Sequence, residues 1–243
     1  MNKFLKYFFI ISILLITPSI IKAEEILSET TKYYKTTILK NPLQSANNQT
    51  YYYSETIEVT EEEYNNSDQL VINSVTVETN YKKLTVSISK YNNTFYRYKA
   101  VLNWKQMPST RSYDVIGIGH YSNVEVAGNV DFEQYYCYSG GSCFTNTVYY
   151  QKIISTGAGA MFALPSGSIN TLKQTIILMM QKRDPSSTIT SQIASGDYAH
   201  ATSTISYNNA KNFTVSQYGI DVGVNINYYD NMPYGAATWS GTW

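Results

Sequence analysis

Apolar and polar side chains alternate with a period of two through one segment of this chain after another. Leu84, Val86 and Ile88 alternate with Thr85, Ser87 and Ser89, and the same rhythm runs through Val71 to Val77, Phe95 to Trp104, Tyr113 to Ile118 and Val222 to Tyr228. Successive side chains of a strand point to opposite faces, so this period marks strands with one face in a core. Turn-forming clusters separate the segments: Asn92-Asn93, Met107-Pro108-Ser109, Ala127-Gly128-Asn129, Pro165-Ser166-Gly167, Asp184-Pro185-Ser186 and Ser195-Gly196-Asp197. Thr171 to Gln181, with Ile176 to Met180 all apolar, reads as a central strand apolar on both faces; a buried helical turn is the alternative. One short helix is expected at Thr60-Glu61-Glu62-Glu63-Tyr64, where Thr60 caps and Glu63 takes the third position of a capping box, with its end at Asn65-Asn66. Together these elements predict an all-β fold, an antiparallel β-sandwich of the jelly-roll or immunoglobulin-like class, over residues 70–243.

The chain begins with a different pattern. Lys3 and Lys6 precede an uncharged run from Tyr7 to Ile21, and Lys22-Ala23-Glu24-Glu25 follows. A basic start, a short apolar stretch and a small residue at the junction are the parts of a secretion signal. The run, broken by Pro18 and Ser19, is shorter than the ~20 apolar residues a membrane-spanning helix needs. Residues 1–23 are therefore expected to be a cleaved leader, cut after Ala23, and the mature protein to be secreted and extracellular, with no transmembrane segment. Residues 24–56 show little alternation, so residues 24–69 are expected to form an irregular, acidic, partly disordered N-terminal arm.

Composition supports strands, because 24 tyrosines with abundant Thr, Ser, Val and Ile suit a pleated, half-buried surface. Without residues 1–23 the chain carries 15 basic against 18 acidic side chains, a net charge of −3. Nucleic-acid binding needs a concentrated basic face, and that balance supplies no electrostatic case for it. The charge is unevenly spread: residues 24–79 carry net −7 and residues 80–243 net +4. Only two cysteines occur, Cys137 and Cys143, in Cys-Tyr-Ser-Gly-Gly-Ser-Cys. In an oxidising compartment, with Gly140-Gly141 supplying a tight turn, they are expected to form a disulfide across a hairpin tip; free thiols are the alternative. With two histidines lacking metal-ligand spacing, no metal and no cofactor is expected.

Two stretches carry a resemblance. Trp104-Lys105-Gln106-Met107-Pro108-Ser109-Thr110-Arg111-Ser112-Tyr113-Asp114-Val115-Ile116-Gly117, and Gly196-Asp197-Tyr198-Ala199-His200-Ala201-Thr202 leading to Asn209-Ala210-Lys211-Asn212-Phe213-Thr214-Val215, resemble a group of secreted, uncharacterised β-rich proteins of low-GC Gram-positive bacteria. The resemblance covers the body from Val75 onward. It implies an exported bacterial protein and assigns no residue a role.

Candidate chemistry is sparse. His120 and His200 could each pair with a carboxylate such as Asp114 or Asp197, as a hydrolase base would. Lone histidines on strands are more often cross-strand or surface partners. Gly117-Ile118-Gly119 and Gly157-Ala158-Gly159 have no helix after them, so bulges or close packing between sheets explain them better than a phosphate cradle. No residue is assigned a catalytic role. Trp104, Trp239 and Trp243, with the pairs Tyr135-Tyr136, Tyr149-Tyr150 and Tyr228-Tyr229, are the candidate aromatic binding residues, because flat apolar rings with polar rims suit sugars and cell-surface ligands. The expectation is a secreted binding or surface-interaction protein for a glycan or cell-surface ligand. A secreted hydrolase acting on a glycan or wall polymer is the alternative. A pore-forming protein is a third class, since Ser186 to Ile205 is rich in Ser and Thr and poor in charge.

Overall fold

The computed structural model of the protein describes residues 24–41, 51–67, 76–230 and 232–243. The leader expected over residues 1–23 and the start of the strand expected from Val71 lie outside the described residues. In chain order the strands are β1 (Glu25–Asn41), β2 (Tyr51–Val59), β3 (Thr76–Lys90), β4 (Tyr96–Trp104), β5 (Tyr113–His120), β6 (Val124–Tyr138) and β7 (Cys143–Asn146). They continue with β8 (Tyr150–Ile154), β9 (Gly157–Ala163), β10 (Ile169–Lys182), β11 (Ser191–Ala199), β12 (Thr214–Ser216), β13 (Gly219–Asp221) and β14 (Gly235–Ser240). Two short helices, α1 (Glu61–Asn65) and α2 (Tyr207–Ala210), and a 3₁₀ turn at Gly223–Tyr228 complete the described elements.

The protein is an all-β antiparallel sandwich. One sheet has the order β2-β1-β3-β4-β10-β6-β7, the other β14-β11-β5-β9-β8, and β12 and β13 form a separate hairpin. Alternation explains which faces meet. Leu84, Val86 and Ile88 of β3, Ala100 and Leu102 of β4 and Ile176 and Leu178 of β10 point inward and are fully buried. They face Ile116 and Ile118 of β5, Ala158 and Phe162 of β9 and Ala194 of β11 in one continuous core. Each large apolar side chain so enclosed contributes about 1.5–3 kcal/mol. The sheets approach closely at Gly196, where a Cβ would stand 2.4 Å from Val86 Cγ2.

Several expected elements are where the pattern put them. β10 covers the contiguous apolar run and lies between β4 and β6, as a strand buried on both edges does. The Thr60 hydroxyl accepts from the Glu63 backbone N–H at 3.1 Å and caps α1. The segment expected as an arm instead contributes two strands: β1 pairs with β3 from Glu25↔Lys90 to Leu39↔Thr76, and β2 pairs with β1. Its inward set is Tyr34, Thr36 and Ile38, all buried. Two of those three carry hydroxyls, which hides the alternation from a hydropathy pattern. The strand expected at Val222 to Tyr228 is a 3₁₀ turn instead. Gly223 turns the chain with φ +56°, and Asn225 donates from its side chain to the Asn209 carbonyl at 2.8 Å, both features of a turn.

The outer face of the smaller sheet is covered by the chain after β11. Gly117 pairs with Gly159 and Gly119 with Gly157 across β5 and β9, so four glycines make a bare floor. The β12–β13 hairpin sits on it: a Cβ at Gly119 would lie 2.3 Å from the Ser216 carbonyl oxygen, and one at Gly117 would lie 2.2 Å from Ile220 Cγ2. Phe213, Ala210, Ile205 and Tyr229 pack there with Val115 and Met161 as a second apolar cluster. From the sequence these glycines are expected to serve bulges or packing between the sheets; the close contact instead lies on the outer face, against the hairpin.

Candidate functional site

At one end of the sandwich the inward-facing rows stop being apolar. Lys82 on β3, Trp104 on β4, Asp114 on β5 and Tyr198 on β11 occupy the same inward register as Leu84, Leu102, Ile116 and Gly196, and His200 follows β11 in step. Lys82, Asp114 and His200 are fully buried, and Asp230 is 3 % exposed. Asp114 accepts from His200 Nδ1 at 3.0 Å, from the Ala201 backbone N–H at 3.0 Å and from the Tyr198 hydroxyl. The Tyr198 hydroxyl in turn accepts from Trp104 Nε1 at 3.2 Å. Lys82 forms an ion pair with Asp230, whose carboxylate also accepts from the His200 backbone N–H at 2.7 Å and from Thr36 Oγ1 at 3.1 Å. Burial raises the Tyr198 hydroxyl far above its usual range, and the Asp114 carboxylate adds to that.

Of the two histidines, His200 has the carboxylate partner that a general base needs, yet it has no open face. Its ring lies edge-on to Trp104, 4.9 Å between centroids, and Nε2 is buried with no hydrogen-bond partner. A nucleophile would have to stand at Nε2, and no substrate reaches it through the packed core. The arrangement therefore orders the core end; Asp114 ties β5 to the residues following β11. His120 is also enclosed, donating from Nδ1 to the Tyr121 carbonyl oxygen 2.9 Å away, with burial lowering its pKa. Asp197 lies beneath the β12–β13 hairpin. Burial pushes its pKa up to about 7 against the opposing backbone hydrogen bonds from Tyr198 and Ile220, and the Asp230 and Asp221 charges add to the rise.

The expected aromatic sites divide. Trp104 is 5 % exposed and belongs to the core just described. Trp239 and Trp243 both pack on Tyr96, with centroids 5.6 and 4.1 Å away, and Trp243 borders a shallow depression of about 370 Å³ beside Lys182 and Arg183. Of the Tyr228-Tyr229 pair, Tyr228, in the 3₁₀ turn, is 39 % exposed and Tyr229 is 4 % exposed. Ser186 to Ile205 forms no hairpin; its strand, β11, is paired on both sides by β14 and β5. The Cys137 and Cys143 sulfurs lie at disulfide distance, 2.07 Å, across the directly paired ends of β6 and β7.

A further concave feature was not visible from the sequence. On the outward face of the larger sheet, Ile177 of β10 stands directly between Lys99 of β4 and Asp131 of β6. The next rows across the same strands are Val101, Thr175, Glu133 and then Asn103, Lys173, Tyr135. Of these, Lys99, Asp131, Glu133, Lys173, Thr175 and Ile177 line a groove of about 650 Å³ with the rim residues Asn146 to Val148. Lys173 Nζ lies 5.7 Å from the Tyr135 ring centroid. Among the described residues, neither Asp131 nor Glu133 is held in an ion pair, so two acids and two lysines meet the groove with their polar atoms available. The signal in the sequence was charge at alternate positions of strands whose other face is apolar; only the register shows that these charges converge.

Compared with known proteins, the chain matches no protein-family profile and no curated protein. No helix among the described residues is long and apolar enough to cross a membrane.

Proposed function

We propose that this is an exported binding protein that takes a polar, hydroxyl-rich ligand, a glycan or wall polymer, in the groove over β4, β10 and β6. The observation that carries the reading is the groove's lining. Carboxylates accept hydrogen bonds from hydroxyls, the lysines donate to hydroxyl or carboxylate oxygens, and Ile177 and Val148 offer apolar surface to the C–H faces of a sugar. Its size falls within the ~300–1,000 Å³ of small-ligand sites. Export is supported by the leader pattern of residues 1–23 and by the paired cysteines.

A hydrolase reading gains one observation, since Asp131 and Glu133 share a strand face and so lie roughly 7 Å apart, a spacing inverting glycosidases use. Both side chains are exposed. A catalytic acid needs an enclosure that keeps it protonated, which these positions lack, so binding is the stronger reading. Solution NMR of the isotope-labelled mature protein titrated with wall polymers and host glycans tests it. Shifts should concentrate on the outward positions of β4, β6 and β10; shifts confined to the Trp243 depression or absent altogether would remove the groove from consideration.

A further inference from the structure

Lysine is seldom fully buried, and Lys82 is buried among rings. Its Nζ lies 5.0 Å from the Trp104 ring centroid and 5.4 Å from that of Tyr198, and it meets Oδ2 of Asp230 directly. Both side chains of the pair have 0 % exposure. They come from β3 and from the segment leading into β14, 148 residues apart in the chain. Asp230 is held at both oxygens: the His200 backbone N–H donates to Oδ1 at 2.7 Å, and Thr36 Oγ1 donates to Oδ2 at 3.1 Å. The amine, the carbonyl carbon beside it and a fixed donor on the far oxygen are the parts of an acyl transfer site, assembled by folding with no opening to solvent.

We propose that Lys82 and Asp230 are a modification site, joined after folding by an intramolecular isopeptide bond. A proton passes from Nζ to Oδ2 along the direct contact. This turns the ion pair into an amine and a carboxylic acid and removes two charges from a medium that holds them at high cost. The Nζ lone pair then adds to Cγ, and the developing negative charge on Oδ1 falls on the His200 N–H, which serves as an oxyanion donor already in place. A second proton moves from nitrogen to Oδ2, the Cγ–Oδ2 bond breaks and one water leaves. The products are a secondary amide and water; no oxidant, nucleotide or second protein enters. Fixed proximity replaces the activation that amide formation otherwise requires, and exclusion of water from the site opposes reversal. The Asp114 bond to His200 Nδ1 makes Asp114 a positioning residue, because it fixes the residue that carries the oxyanion donor. The resulting crosslink would bind the larger sheet to the C-terminal segment, closing a loop that spans most of the folded chain, a useful property for a protein working outside the cell.

Intact mass spectrometry of the full-length wild-type protein, expressed with its own leader, tests this. The protein is reduced and denatured, and its mass is compared with that of the sequence from the observed N-terminus. A mass one water lighter is expected, with a branched tryptic peptide containing both Lys82 and Asp230. Lys82→Met should restore the full mass. A wild-type protein at full mass, with Lys82 modified by an amine reagent once denatured, overturns the proposal. So does a water loss that persists in Lys82→Met, since a succinimide elsewhere would then account for it. The decisive measurement is made on the wild type, so poor folding of the variant leaves it intact.

Discussion

Trp243 packs into the core beside Tyr96, and removing its side chain should destabilise the whole sandwich. The indole is 9 % exposed and its ring lies 4.1 Å from that of Tyr96 at 40°. Its backbone exchanges hydrogen bonds with Ile189, 3.0 Å in one direction and 3.3 Å in the other, which pins the chain end across the loop before β11. Trp243→Ala keeps those backbone bonds and deletes the ring. Large aromatic truncations in cores cost about 3–5 kcal/mol, with the lower end expected where neighbours can relax into the gap. The ring packs mainly on one partner, Tyr96, so the lower end, about 3 kcal/mol, is expected. For a domain of this size each kcal/mol shifts the melting temperature by about 2–4 °C, giving a fall of roughly 6–12 °C. Trp239→Ala should cost less, because that ring is half-buried and stands 5.6 Å from Tyr96. Thermal unfolding followed by near-ultraviolet circular dichroism measures both. A Trp243→Ala protein melting within ~2 °C of wild type, less than 1 kcal/mol, would refute the packing role.

Asp197→Asn should abolish a pH dependence of stability. Folding raises this acid from its ordinary 3.8 to about 7, so its favourable contribution is complete below the unfolded value and is lost as the pH rises through about 7. Urea midpoints from pH 5 to 8 should therefore fall in wild type and stay flatter in the variant, which should be the more stable of the two at pH 8. Gly119→Ala should lift the β12–β13 hairpin from its floor, costing about 1–3 kcal/mol, with hydrogen-exchange protection lost mainly between Thr214 and Asp221; unchanged protection there would count against the seat. Asp114→Ala strands the Tyr198 hydroxyl, the His200 ring and the Ala201 N–H in the core, so a loss of about 3–5 kcal/mol is expected in a denaturant titration, and a loss below ~1 kcal/mol would contradict the network.

Period-two alternation carried β3 and β4, whose inward residues are apolar and outward ones mostly polar, and part of β5, while β10 was marked by its contiguous apolar run. It failed where the inward set is itself polar or small. β1 hides behind Tyr34 and Thr36, and β14 is built from Gly235, Ala236 and Ala237, which have little side chain to pattern. The paired glycines of β5 and β9 were legible as close-packing positions, but the hairpin that fills them lies far along the chain. The buried cluster shows the limit more sharply. Asp114 and His200 stood out by residue type, whereas nothing in the sequence singled out Lys82 and Asp230, which the fold places end to end. The groove follows the same logic, since Lys99, Asp131, Glu133 and Lys173 are unremarkable one at a time and become a site only through the registers β4↔β10 and β10↔β6.

The central claim is that this groove binds a hydroxyl-rich ligand. The direct measurement is retention of the mature protein on a panel of purified wall polymers and immobilised glycans, beside a Lys99→Ala, Asp131→Ala, Lys173→Ala triple variant of matched melting temperature. Wild type should be retained by at least one polymer, with the triple variant at least about tenfold weaker, the equivalent of ~1.4 kcal/mol. Equal retention of the two proteins, or no retention of wild type across the panel, would contradict it.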